Sequence, residues 1–269
     1  MSTLATHYSA NDIETRLLDG IRAAGLDPDQ RLSVADLGAL DHFHTGGLRA
    51  SMELMEVATI EPGDNILDLG AGLGGAARML ATETGCHVDC VEMSADYCSG
   101  ARLLNRLTGL ETQIAVHQAS ALDLPFADAT YDVVWMQNVG MNIEDKLALY
   151  TTVSRVLKPG GCFAFQEMVT GTGTITGYPL PWASVPEDNS LTSAEDMTRI
   201  LEQCHLHAEL FEDTSGTHLN RTAANATPAK AGALGLSVFV DNLGEKATNA
   251  RLCLEQGQVR LVRGIFRRR

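Results

Sequence analysis

Ile66-Leu67-Asp68-Leu69-Gly70-Ala71-Gly72-Leu73-Gly74-Gly75 is the stretch around which the chain is organised. Ile66 to Leu69 predicts a short buried strand and Gly70 with Gly72 a tight turn. Gly74 to Thr84 predicts a helix whose apolar side carries Met79 and Leu80. Backbone approaches a ligand closely at such a turn, because glycine lacks a Cβ and tolerates positive φ. The helix behind it offers free N–H groups and a partial positive charge. Gly70, Gly72 and Gly75 satisfy the spacing of a dinucleotide fingerprint, a match that is weak alone. Asp68 argues against that reading. A pyrophosphate gains nothing from a carboxylate inside the strand, whereas a ligand carrying an ammonium and a sulfonium does. The unit also follows some sixty residues of other sequence, where a dinucleotide fold usually opens with it.

Outward from this unit the apolar pattern alternates. Strands are expected at His87 to Glu92, Gln113 to Gln118, Tyr131 to Met136 and Cys162 to Val169. Helices are expected at Ala95 to Leu107 and Lys146 to Leu157, with Lys158-Pro159-Gly160-Gly161 as a turn. Met197, Ile200, Leu201 and Cys204 mark a further helix, and His207 to Asp213 and Val259 to Phe266 two further strands. The reading is an α/β fold: a Rossmann-like, doubly wound, mostly parallel seven-stranded sheet with an N-terminal helical cap. Residues 1–61 form the cap and lid and 62–269 the core, with substrate-side insertions around 171–190 and 219–256, the latter read mainly as helix. In the cap, Asn11 and Glu14 suggest a capping box ahead of Ile13, Leu17, Leu18 and Ile21, and Val34 to Leu40 and Leu48 to Ala58 suggest two more helices. Between these lies Asp41-His42-Phe43-His44-Thr45-Gly46-Gly47, a polar, glycine-containing segment expected to be a site loop or lid.

At 269 residues the chain suffices for one sizeable core, and its 45% hydrophobic content is ordinary for a soluble protein. A formal charge of −14 argues against nucleic acid and anionic membrane as partners, since phosphate binding needs clustered Lys and Arg. The one basic cluster, Arg260, Arg263, Arg267, Arg268 and Arg269, is expected to be a solvated last strand and tail. No apolar run approaches transmembrane length, and Met1 to Ala10 lacks the order of a signal peptide, so a cytoplasmic protein is expected. Cys86, Cys90, Cys98, Cys162, Cys204 and Cys253 show no metal spacing and are expected as buried free thiols. Assembly stays open between monomer and homodimer.

Ligands of such sheets bind beyond the carboxyl ends of the strands. Glu92 ends the second strand, and its two oxygens match the vicinal hydroxyls of a ribose, with Met93 placed to pack on a base. Ser120 and Ala121 follow the third strand, near a purine edge. Gln137 ends the fourth, and Asn138, Met141 and Asn142 extend the same rim. Glu167, Tyr178 and Trp182 emerge with the fifth strand and its following loop as acceptor-side candidates, together with Phe43. His42 and His44 are candidate bases, with a purely structural role weighed equally and a metal site disfavoured for want of a third ligand.

Asp68-Leu-Gly70-Ala-Gly72 with Glu92, then Leu124-Pro-Phe126 and Arg155-Val-Leu-Lys158-Pro-Gly-Gly161, resembles the class I S-adenosylmethionine-dependent methyltransferases over roughly Pro62 to Val169. Asp41 to Gly47, Trp135 to Lys146 and Tyr178 to Ala183 are similar to the sarcosine/dimethylglycine methyltransferase-like, small-molecule branch. The resemblance implies S-adenosylmethionine as cofactor and a small-molecule methyl acceptor with an N, O or C nucleophile. It implies Gly70, Ala71 and Gly72 at the methionine end, Glu92 at the ribose, and Ser120 and Ala121 at the adenine, while Asp68, Met93 and Gln137 are cofactor-side candidates from the residues themselves. That branch often carries histidine where Asn138 stands, and asparagine is no general base. The alternatives are an NAD(P)-dependent oxidoreductase, for which no Tyr-x-x-x-Lys pair follows Tyr97 or Tyr131, and a cofactor-binding protein that does not methylate.

Overall fold

The computed structural model describes residues 12–224 and 234–269. Its sheet is built from β1 (Asn65–Leu69), β2 (His87–Glu92), β3 (Ile114–Gln118), β4 (Tyr131–Gln137), β5 (Leu157–Thr170), β6 (Leu206–Asp213) and β7 (Val259–Arg268). They run in the order β3-β2-β1-β4-β5-β7-β6, all parallel except β7, which is antiparallel to both neighbours. The helices are α1 (Ile13–Ala23), α2 (Val34–Asp41), α3 (Gly47–Ala58), α4 (Gly75–Thr84), α5 (Ala95–Thr108), α6 (Lys146–Val156), α7 (Ala194–Gln203), α8 (Ser215–Ala224) and α9 (Leu243–Glu255).

Central parallel strands are covered on both faces, so they carry nearly unbroken apolar runs. Ile66, Val133, Trp135 and Ala164 pack under Leu54 and Ala58 of α3 and Ala77 and Leu80 of α4. On the other face Leu67, Val134, Phe163 and Phe165 meet Leu149 and Val153 of α6 and Leu201 of α7. Cover for the first face therefore begins with α3, upstream of residue 62. Strand order reverses between β1 and β4, where the connections leave to opposite sides and a crevice opens.

The glycine turn is pinned within that crevice. The backbone N–H groups of Gly70 and Ala71 donate to the Val91 carbonyl at 2.8 and 3.0 Å. Gly70 sits at φ +76°, and a Cβ there would come within 2.4 Å of Val139 Cγ2. Behind the turn, Arg78 of α4 is fully buried. Its Nε donates to Asp41 Oδ2 at 3.0 Å and its Nη2 to Asp41 Oδ1, while Nη1 donates to Asn105 Oδ1 at 2.8 Å. Nη2 also reaches the Leu73 carbonyl at 2.7 Å. One guanidinium thus ties α2, α4, α5 and the glycine turn together.

Three expectations are corrected. Lys158 to Gly161 lies inside β5 rather than in a separate turn, because Leu157 already pairs with Tyr131 across an irregularity in the ladder. β7 is an interior strand between β5 and β6, and its Arg263 and Arg267 meet acids on β6 while Arg260 and Arg269 stay exposed. Arg263 Nε donates to Glu212 Oε1 at 2.8 Å and Arg267 Nε to Glu209 Oε2 at 2.9 Å. Asp41 belongs to the end of α2 and not to an open loop. The described part of the 219–256 region is mainly helical, as expected, with the end of α8, a short 3₁₀ turn at Leu236–Val238 and α9. The Asn11 cap and residues 225–233 lie outside the described residues. All six cysteines are buried and free, as expected.

Methionine at position 78 would leave the Asp41 carboxylate buried without a counter-ion. Urea denaturation of Arg78→Met is expected to show a loss of about 3–5 kcal/mol, much of it recovered in Arg78→Met/Asp41→Leu. Strictly additive losses would contradict direct coupling of the two side chains.

Candidate functional site

A cavity of about 740 Å³ opens beyond the carboxyl ends of β1 to β4. Asp68, Gly70, Ala71, Gly72, Glu92, Met93, Ser120, Ala121 and Gln137 all line it. So do His44, Asn138, Phe43, Met141, Asn142 and Trp182. His42, Glu167 and Tyr178 are not among its lining residues.

At the strand ends the cavity is polar. Glu92 Oε2 accepts the Gly72 N–H at 3.1 Å and Oε1 the Ser94 N–H at 2.8 Å, so the carboxylate bridges the glycine turn and the start of α5. Burial pushes its pKa up against those bonds. Each oxygen retains acceptor capacity toward the cavity. Asp68 is buried, and its Oδ2 has no protein partner. Burial, opposed by the Ala77 N–H and reinforced by Glu92, pushes Asp68 up to about 7.

Gln137 carries the second orphaned atom, Nε2. Its Oε1 accepts the Trp135 indole N–H at 3.0 Å and the Ser51 hydroxyl at 2.9 Å. An indole N–H can only donate, which fixes the amide with oxygen toward Trp135 and both amide hydrogens turned away. Ser51 spends its single hydrogen on Gln137, so His42 Nδ1 at 3.2 Å donates to the Ser51 oxygen, and neutral His44 has one N–H to share between that oxygen, 3.0 Å from Nε2, and the Thr45 carbonyl, 3.4 Å from Nδ1. Asp68 pairs with Trp135 in the β1–β4 register, and Gln137 lies two residues further along β4. Asp68 and Gln137 therefore share a face of the sheet.

This network revises the expectation for the histidines. Burial and the Arg78 charge push His42 down to about 4, and burial with the neighbouring imidazole pushes His44 down to about 3. Both are neutral at pH 7 and too weakly basic to take a proton usefully. They hold Ser51, and through it the Gln137 amide. Among the described residues no group of three or more His, Cys, Asp or Glu is placed to hold a metal ion.

Glu167 is likewise corrected. It is fully buried, and its carboxylate accepts the N–H groups of Val139, Gly140 and Met141 at 2.7, 2.8 and 3.2 Å. It shapes the loop after β4 from behind. Asn138 occupies the left-handed region at φ 55°, with its N–H on the Gln166 carbonyl at 2.8 Å. Tyr178 packs behind Trp182 in the cluster under the loop after β5, and Trp182 Nε1 donates to Asn189 Oδ1 at 3.0 Å.

The far wall escaped sequence reasoning. Met168, Leu236, Phe239 and residues of α9 line the cavity. The spacing Leu243, Ala247, Ala250 and Leu254 was available as a helical stripe, but nothing local says that this stripe faces a cavity rather than a core.

A family model described as a methyltransferase domain matches residues 67–165. The chain is similar to a dimethylglycine N-methyltransferase of Parasynechococcus marenigrum (strain WH8102), at 40% identity over 138 residues covering 51% of this chain and 49% of the relative. It is similar to Methyltransferase GfsG of Streptomyces halstedii at 31% identity over 219 residues, 78% of this chain and 74% of the relative. The chain spans about half or less of the length of the first curated relatives it matches. Among solved structures it resembles geranyl diphosphate C-methyltransferase from Streptomyces coelicolor A3(2), solved with Mg2+, geranyl diphosphate and S-adenosyl-L-homocysteine. The TM-score is 0.65 at 19% identity, over 82% of this chain and 80% of the other, a likeness of fold.

The Asp68 shift has a sign that can be measured on the ligand-free chain. A carboxyl at about 7 when folded and near 3.8 when unfolded binds more protons in the folded state between those values. Its contribution to stability is thus full below about pH 4 and falls as pH rises to about 7. The stability of Asp68→Asn relative to the native chain is expected to grow across that window, by up to about 1.4 kcal/mol per pH unit. Denaturation curves that keep a constant offset from pH 4.5 to 7.5 would contradict the assignment.

Proposed function

The chain belongs to the class I S-adenosylmethionine-dependent methyltransferases, and from that premise we propose that it transfers a methyl group from S-adenosylmethionine to a small-molecule acceptor. The observation that carries this reading is the polar end of the cavity. There the Glu92 carboxylate is locked across the glycine turn, and one buried acceptor, Asp68 Oδ2, and one buried donor, Gln137 Nε2, have no protein partner. Buried polar atoms are normally satisfied, so an orphaned acceptor and donor facing one cavity argue for a ligand that supplies their counterparts. The α-amino acid end of S-adenosylmethionine carries both, an ammonium for Asp68 and a carboxylate for Gln137. In this reading Glu92 takes the ribose hydroxyls, and Met93, Ser120 and Ala121 the adenine.

When bound, S-adenosylmethionine supplies a methyl group already activated on a positively charged sulfur. The chain then has to bind, orient and exclude water, since alignment of nucleophile, methyl and sulfur supplies much of the acceleration. The glycine turn and Glu92 fix one end of that line, and Met141 and Trp182 bound the other. Neutral His44 leaves the vicinity free of a cation that would repel a sulfonium. With no strong base among the site residues discussed, Asn138 and Asn142 are assigned to hydrogen bonding with the acceptor rather than to proton removal. A nicotinamide dinucleotide suits this end poorly, because its pyrophosphate would face the Asp68 and Glu92 carboxylates.

The acidic charge of −14 supports a small-molecule acceptor rather than nucleic acid. Six free buried thiols support a reducing, cytoplasmic setting. Among the described residues no helix is long and apolar enough to cross a membrane.

Hydrogen bonds to a charged group contribute about 1.5–3 kcal/mol each. Glu92→Ala is therefore expected to weaken S-adenosylhomocysteine binding roughly 10- to 100-fold by calorimetry, with thermal denaturation confirming that the variant is folded. Unchanged affinity in the folded variant would overturn the assignment of the ribose to Glu92.

A further inference from the structure

The wall opposite the cofactor end has a chemistry of its own. α9 presents Leu243, Ala247, Ala250, Arg251 and Leu254 to the cavity, positions that recur on one helical face. Met168, Pro181 and Trp182 continue this surface from the β5 side. Phe43 and Phe239 close it from the N-terminal side, their rings edge to face at 5.9 Å, and Tyr97 meets Phe239 in the same way at 5.8 Å. Apart from the Arg251 guanidinium, these walls are hydrocarbon, thioether and aromatic ring, with the two alanines of α9 leaving space where larger side chains would fill it.

Positive charge is nearly absent from that half. Arg251 is the one lysine or arginine among the described lining residues, it is half exposed, and its guanidinium is held by Glu255 one turn on. His44 is neutral, and burial beside Arg221 pushes His218 down as well. Glu144 and Asp145 line the cavity from the loop between β4 and α6, and Asp145 accepts the Ala148 N–H at 2.8 Å as the cap of α6. An acceptor of the amino-acid kind carries a carboxylate, and burying it here would leave it without a counter-ion, which is strongly unfavourable. A hydrocarbon body gains instead from every part of the wall it covers. At about 740 Å³ the cavity lies in the upper part of the roughly 300–1,000 Å³ range of ligand pockets, leaving room beside a nucleoside.

We propose that the acceptor is a bulky, uncharged molecule whose body is mainly hydrocarbon, seated between α9 and the Met168–Trp182 wall, and that small amino-acid acceptors are excluded. This rests on the methyl-transfer reading, because it assigns the polar half to the cofactor. The specificity is set by α9, a segment outside the region matched by the family model.

The test uses the full chain saturated with S-adenosylhomocysteine and the neutral fluorophore Nile red as the probe. Saturable binding of Nile red, displaced by the neutral terpenoid alcohol farnesol and not by millimolar dimethylglycine, is the expected result. Ala250→Asp places a charge in the wall and is expected to weaken Nile red at least about tenfold while S-adenosylhomocysteine still binds. Ala247→Trp, which fills the same space without charge, is expected to do likewise, so misfolding of one variant leaves the other to decide. S-adenosylhomocysteine binding without any saturable Nile red binding would overturn this inference and leave the methyl-transfer reading standing. Displacement of Nile red by dimethylglycine, or methylation of dimethylglycine, would also overturn it. Failure of S-adenosylhomocysteine to bind the native chain would overturn the methyl-transfer reading itself, and this inference with it.

Discussion

The guanidinium of Arg78, buried with the Asp41 carboxylate, is the contact on which the geometry of the cavity depends, because it fastens the segment leading into Phe43, His44 and Thr45 onto the glycine turn. The same group reaches the Leu73 carbonyl and Asn105, so the turn, the α5 helix and the N-terminal segment share one set of hydrogen bonds. Such a network is costly when partly satisfied and rigid when complete. Gly75 makes the contact possible. A Cβ there would lie 1.9 Å from the Asp41 carbonyl oxygen, so only glycine lets the end of α2 rest on the start of α4. The third glycine of the apparent dinucleotide fingerprint thus has a packing reason, close approach of two backbones, that is independent of any ligand phosphate.

Much of the sheet was legible because its signals are local. Ile66 to Leu69 is an unbroken apolar run apart from Asp68, Gly70 takes a positive φ, and Glu92 falls at a strand end by simple alternation of pattern. What was not legible depends on contacts far apart in sequence. Val259 to Phe266 carries arginines at intervals that suit an exposed strand equally well. Only its insertion between β5 and β6, beside Glu209 and Glu212, tells otherwise. Arg78 looks like an ordinary helical arginine until Asp41, 37 residues away, is brought against it. Glu167 was found as a residue near the binding face, but its three backbone partners lie in a loop whose shape the sequence does not announce.

The histidines illustrate the same limit in chemical terms. Residue type and proximity to a glycine-rich segment made His42 and His44 natural bases. Their environment makes them neutral and turns acceptors toward them, because Trp135 dictates the orientation of Gln137, Gln137 dictates the hydrogen of Ser51, and Ser51, like the Thr45 carbonyl beside His44, offers them only an acceptor. What reaches the cavity from this relay is a fixed amide, a donor whose direction was settled at folding. On the proposed reading, the preset polar end and the apolar far wall divide the cavity between a cofactor at the parallel strands and an acceptor at α9 and the loop after β5.

The most direct measurement of the account is a crystal structure of the chain grown with S-adenosylhomocysteine. The account predicts both ribose hydroxyls on the Glu92 carboxylate, the homocysteine ammonium within hydrogen-bond reach of Asp68 and its carboxylate at Gln137 Nε2, with the sulfur facing the α9 wall. A nucleoside lying with its ribose away from Glu92, or an amino-acid end that leaves both Asp68 and Gln137 without partners, would contradict it.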